Sequence, residues 1–139
     1  MGMVYADIEL INGDDLALVR KHYIGEDEIK RMHINMLADS GAYMMCINED
    51  IQATLQLPFI EQRSAVMANG SVETFDTVGP IMVKFKNRTA MCNAYVLKGS
   101  NEPLLGAIPM EEMDVLIHPL RQELIVIPEH PDYAVLKLK

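Results

Sequence analysis

Ile34-Asn35-Met36-Leu37-Ala38-Asp39-Ser40-Gly41-Ala42 is the stretch on which the reading of this chain turns. Met32, Ile34, Met36 and Ala38 alternate with Arg31, His33 and Asn35, the period-two pattern of a strand with one buried face. His33 falls on the outer face. The strand runs straight into Asp39. An acid, a hydroxyl residue and a glycine at a strand end can form a tight turn that presents a carboxylate. The quartet Asp39-Ser40-Gly41-Ala42 occurs once in 139 residues. One carboxylate is half of a two-carboxylate acid/base device. If the turn is catalytic, the other half comes from a second copy of the chain.

Strand signals dominate on both sides of this stretch. Val4 to Ile11 is rich in β-formers. Asn12-Gly13-Asp14-Asp15 reads as a hairpin turn, with Leu16 to Tyr23 as the return strand. Gly25 to Glu28 reads as a polar loop. Tyr43 to Ile47 reads as a short buried strand. Asn48 is an N-cap candidate, and Glu49 and Asp50 suit a first helical turn. The spacing of Ile51 and Leu55 predicts a helix over Glu49–Leu55, stopped before Pro58.

Ile60 to Val66, Ala68-Asn69-Gly70-Ser71 and Val72 to Val78 read as a hairpin with a glycine tip. Ile81–Phe85 and Thr89–Leu97 are two further strands, joined at Lys86-Asn87-Arg88. After the polar loop Lys98–Pro103, Leu104-Leu105 is a short apolar strand ending at Gly106. Pro109 to Met113 suits a helix start, with a proline near the first position and acids in the first turn. Val115–Ile117, Glu123–Ile127 and Ala134–Leu138 complete the expected strands. The sum is one mostly-β domain over residues 1–139, a closed barrel or a sandwich with one or two short helices.

Composition narrows the function classes. Half of the residues are hydrophobic, enough for a real core and too many for a disordered chain. A net charge of −8 argues against a nucleic-acid footprint. No basic run suits an acidic membrane surface, and no apolar stretch is long enough for a spanning helix. The start at Met1-Gly2-Met3 lacks the basic and apolar regions of a signal peptide, and Ala6 departs from the myristoylation pattern at Gly2. A cytoplasmic location is therefore expected. Cys46 and Cys92 read as free thiols in a reducing compartment. His22, His33, His118 and His130 lack metal-ligand spacing. Neither a metal nor a cofactor is expected. Glu111, Glu112 and Asp114 read as a solvated helix face.

Three elements in order carry a resemblance. They are the strand leading to Asp39-Ser40-Gly41-Ala42, the hairpin at Ala68-Asn69-Gly70-Ser71, and Leu104-Leu105-Gly106 leading into a helix. Together they resemble the retroviral-type (retropepsin-like) aspartic proteases, and most closely the small stand-alone bacterial members. The resemblance covers nearly the whole chain. It implies a closed acid-protease β-barrel and an aspartic endopeptidase. In that reading Asp39 is catalytic, Ser40, Gly41 and Ala42 support its loop, and Ala68 to Ser71 form a flap. Leu104, Leu105 and Gly106 pack against the catalytic loop. The implied partners are a second copy of the chain and an extended peptide or protein substrate. The terminal segment Tyr133–Lys139 is the implied dimer seam.

The chain departs from that pattern in places. Ser40 stands for the commoner Thr. Tyr43 stands where many members have Thr or Asp, and Ala107 where retroviral enzymes have Arg. The last two changes remove the groups of a bracing salt bridge and leave the carboxylate intact. Two other readings fit the residues. One is a non-catalytic binding or dimerisation module of the same fold. The other is an unrelated small β-barrel that binds a ligand.

Overall fold

In strand β1 (Val4–Asn12), Val4, Ala6, Ile8 and Leu10 are buried while Tyr5 and Asp7 face solvent. The alternation legible in the sequence thus becomes one wall of the core. The computed structural model describes residues 3–138. Met1 and Gly2, read above for a leader or lipid signal, and Lys139 of the implied seam lie outside the described residues.

Helix α1 (Gly13–Arg20) follows β1 directly, where the sequence reading placed a hairpin turn and a return strand. Asn12 is the reason. Its side chain accepts the Asp15 N–H at 3.1 Å as an N-cap, and its amide donates to the Leu55 carbonyl at 2.9 Å. Asp14 and Asp15 then sit in the helix first turn, where the backbone N–H groups favour an acid. Gly13 meets a need other than positive φ: a Cβ there would stand 2.8 Å from the Pro80 carbonyl oxygen. A single 3-10 turn spans Glu26–Glu28.

Strand β2 (Arg31–Ala38) pairs antiparallel with β1, Ile8 opposite Ile34 and Val4 opposite Ala38. Strand β3 (Met45–Asn48) leads into helix α2 (Glu49–Leu55). The Asn48 side chain accepts the Ile51 N–H at 2.9 Å, and Gln56 ends the helix in a left-handed conformation. Strand β4 (Phe59–Val66) and strand β5 (Val72–Phe85) form the expected hairpin. β5 is continuous through Gly79-Pro80, so the two strands expected there are one, with a register irregularity between Val78 and Ile81.

Strand β6 (Arg88–Leu97) returns against β5 and also pairs parallel with β3. Strand β7 (Leu104–Leu105) precedes helix α3 (Ala107–Met113). Helix α3 starts two residues before Pro109, so its acids Glu111 and Glu112 fall after the first turn. Strands β8 (Val115–His118) and β9 (Glu123–Val126) form a separate two-stranded sheet. Ala134–Leu138, expected as a strand, joins no ladder among the described residues.

The domain is mostly β, with three helices rather than one or two. Its large sheet has the order β1-β2-β7-β3-β6-β5-β4, and β1 pairs with β5 as well as β2. Ile8, Leu10, Met36, Met45, Ile47, Ile81 and Leu105 are fully buried between these strands and the helices. Each such side chain contributes about 1.5–3 kcal/mol through burial. No helix of the described residues is long and apolar enough to cross a membrane.

Candidate functional site

Asp39 is the first residue past β2, and its place is set by β7. The parallel register puts Leu37 beside Leu104 and Ala38 beside Leu105. The Asp39 N–H donates to the Leu105 carbonyl at 3.0 Å, and the Leu37 N–H to that of Pro103 at 3.3 Å. The side chain then shapes the turn: Asp39 Oδ1 accepts the Gly41 N–H at 2.9 Å. The Ala42 N–H closes the turn on the Asp39 carbonyl at 3.1 Å. This is Asx-turn chemistry. It leaves Asp39 half-buried and Ser40 exposed.

The far side of the turn is held by the start of α3. The N–H groups of Ala107 and Ile108 donate to the carbonyls of Ala42 and Tyr43 at 2.7 and 2.9 Å. First-turn helix donors have no partner within their own helix, so the loop supplies one for each. Gly106 makes this approach possible. A Cβ there would stand 2.7 Å from the Tyr43 carbonyl oxygen and closer still to that of Met44. The structure therefore brings together two of the three elements singled out in the sequence, Asp39-Ser40-Gly41-Ala42 and Leu104-Leu105-Gly106. The departure at Ala107 costs the clasp nothing, because its contribution is a backbone N–H.

Asp39 and Ser40 open onto a pocket of about 490 Å³ that is also lined by Val4, Leu37, Ile117 and Gln122. The negative charge of Asp39 reaches Cys46 on β3, whose thiol is pushed up to about 11, first by burial and then by Asp39. Burial, then Glu112, pushes the Cys92 thiol up to about 12. Both cysteines are free, and both stay protonated and poorly nucleophilic at neutral pH.

The third element stands apart from this clasp. Ala68-Asn69-Gly70-Ser71 caps the β4–β5 hairpin, and its bonds stay within the turn. Met67 N–H donates to the Ser71 carbonyl at 2.7 Å, and Asn69 Oδ1 accepts the Ser71 N–H at 2.9 Å. Gly70 has φ +86, the left-handed region that glycine tolerates best. The outer half of the hairpin, from Gln62 and Asp76 to Met67 beside the turn, walls a second and larger cleft, of about 1080 Å³, whose opposite wall is the loop Lys98–Glu102. That loop leads into β7, and Glu102 accepts the Tyr5 hydroxyl of β1 at 2.5 Å. This hydrogen bond, with burial and the Glu102 charge, raises the Tyr5 phenol above its ordinary range.

The sequence reading missed a polar cluster beneath the C-terminal segment. Asp114, expected on a solvated face, is buried at the end of α3 in a left-handed conformation. Its Oδ2 lies 2.6 Å from His130 Nδ1 and accepts the Val135 N–H at 3.0 Å. Arg88, 2% exposed, donates to the His130 carbonyl. The Val135 N–H, then His130, then the Arg88 charge hold the Asp114 carboxyl below its usual range, against the opposing effect of burial. Val135 thus spends its N–H on a side chain instead of a sheet. A backbone N–H committed to a side chain is withheld from ladder pairing, and Ala134–Leu138 joins no ladder among the described residues.

Among the described residues, no group of three His, Cys, Asp or Glu side chains converges as metal ligands would. A scan against protein-family models and a search of curated proteins both return no match for this chain.

Proposed function

We propose that this chain is an aspartic endopeptidase of the retropepsin-like kind, working as a homodimer in the cytoplasm. The observation that carries the reading is the clasped Asp39 turn. Its backbone is fixed from both sides by β7 and α3, while its carboxylate lies beside an open pocket. The closed circuit of strand pairings, from β1 through β2, β7, β3, β6 and β5 back to β1, supports an acid-protease barrel.

Peptide hydrolysis by carboxylates uses one in each protonation state. The ionised Asp39 takes a proton from a water held between the two acids, and that water attacks the scissile carbonyl. The protonated Asp39 of the partner donates a hydrogen bond to the developing oxyanion. Two carboxylates a few ångströms apart share one proton, and the two titration steps belong to the pair. One chain supplies one such acid, so the pair forms on a two-fold axis. Exposed Ser40 is free to bond across that axis. The β4–β5 hairpin closes over an extended peptide and excludes water.

The test is a peptide-library digest from mildly acid to neutral pH, with the solution mass measured alongside. The parent cleaves and is a dimer; Asp39→Asn is a dimer that does not cleave. Cleavage surviving in Asp39→Asn, or a strict monomer that cleaves, overturns the reading.

A further inference from the structure

The cleft between the outer half of the hairpin and the Lys98–Glu102 loop has a composition of its own. Its apolar surface comes from Met67, Phe75, Val96 and Leu97. Four carboxylates stand around that surface, Glu73 and Asp76 on the hairpin, Glu49 at the start of α2 and Glu102 on the loop. Among the described residues, Lys98 is the one cation lining it. Phe75 is held in place by stacking on Tyr95, with ring centroids 5.8 Å apart. The cleft is the largest of the cavities described here.

Three of the four carboxylates are anchored by groups of the protein. Glu49 accepts the Gly99 N–H, Asp76 accepts from Gln62 at 3.2 Å, and Glu102 accepts from Tyr5 at 2.5 Å. Each of these donors is neutral, and among the described residues none of the four carboxylates forms an ion pair. An apolar floor inside an acidic rim fits one kind of side chain: a long hydrocarbon stem carrying a cationic head. Lysine and arginine lay their stems on apolar surface and keep the charge at the rim. The cleft is also tied to the Asp39 turn through the chain itself. Glu102 is followed by Pro103, Leu104 and Leu105, whose carbonyl receives the Asp39 N–H.

We propose that this cleft selects peptide substrates by taking up a lysine or arginine side chain, an assignment that rests on the peptidase reading above. Its charge complementarity makes a basic extended peptide the occupant. Glu73 and Asp76 are the specificity-determining residues on the hairpin wall, and Glu102 on the opposite one.

The experiment uses fluorescent peptide sets in which each position in turn is lysine, norleucine or glutamate. Cleavage by the parent and binding to Asp39→Asn are both measured. The lysine peptides are preferred over norleucine at one position at least, by about three- to tenfold in each assay, the scale of a few partly exposed ion pairs. The preference disappears in Glu73→Gln/Asp76→Asn and in 1 M salt, where the screening length falls to about 3 Å. It grows in Lys98→Gln, which removes the opposing charge. Equal handling of the three side chains, with cleavage intact, overturns the cleft assignment and leaves the peptidase standing. Lysine-selective binding with no cleavage by the parent keeps the cleft and overturns the peptidase. Absence of binding to every peptide overturns the cleft assignment as well.

Discussion

The Asp39 turn and the β4–β5 hairpin solve opposite problems with the same residue types. Each is a tight turn containing an Asn or Asp side chain that accepts a nearby backbone N–H, and each contains glycine. The Asp39 turn is gripped from two sides by elements distant in sequence, β7 and α3. The hairpin is gripped by its own two strands, and all but one residue of β4 is solvent-exposed. Val66 and Val72, flanking its tip, are 75% and 65% exposed. A chemical group needs its position fixed to a fraction of an ångström, so it is placed where the fold overdetermines it. The hairpin, proposed above to close over substrate, lies where few apolar contacts resist its opening.

Substitutions that break one region and spare the other sharpen this contrast. The largest effect is expected from Asp39→Asn. It lowers the proposed turnover by at least about a thousandfold, since a paired general base is lost. Thermal stability changes little, because Asn keeps the acceptor for the Gly41 N–H. Steady-state cleavage together with a melting curve reads both. Unchanged turnover would end the peptidase assignment.

Gly106→Ala comes next. The added methyl presses on the Tyr43 and Met44 carbonyls. We expect about 1–3 kcal/mol of lost stability in chemical denaturation, the usual cost of overpacking against backbone. Gly70→Ala makes the same chemical change at the other turn. Nothing lies within 4 Å of its new methyl, so the cost is the left-handed φ alone, about 1 kcal/mol. That cost stays in the hairpin. Amides of β4 exchange faster, while those of β2 and β7 do not change. A global loss of protection in Gly70→Ala would show that the hairpin belongs to the cooperative core.

The smallest effect concerns pH. The Asp114 carboxyl is held below its usual range in the folded state. Its contribution is therefore fully present above the unfolded-state value of about 3.9 and is lost as pH falls through the lower folded value. Asp114→Asn should flatten the acid limb of a melting-temperature profile below about pH 4, where this linkage acts. A parallel shift of the whole profile would mean that Asp114 acts by packing alone.

Local chemistry made much of the chain readable in advance. Asn48 with Glu49 and Asp50 predicts α2 to its first and last residue, because cap, acids and apolar spacing agree. Asn12-Gly13-Asp14-Asp15 carries two messages at once, since Asn-Gly serves hairpins and Asn before two acids serves helix starts. The contact of Asn12 with Leu55 belongs to the helix reading, and it is invisible in a local window. Gly79-Pro80 punctuates the sequence as a strand break, yet β5 runs through it between β6 and β4. At the site, the Asp39 turn and Gly106 were legible because their roles are backbone roles, fixed by residue type. The Asp114–His130 pair was not. Neither residue carries a motif, and only the return of the C-terminal segment across α3 brings them together.

The parallel pairing of β2 with β7 has a consequence for the newborn protein. Asp39 leaves the ribosome long before Leu105 and Gly106, and its N–H bonds to water until they arrive. Chains emerge at roughly 5–20 residues per second, so a polypeptide carrying Asp39 exists for several seconds before the clasp can close. During that interval the carboxylate hangs on an unbraced loop. The brace on Asp39 is thus among the later contacts of the fold to form, completed only once β7 and the start of α3 have been synthesised.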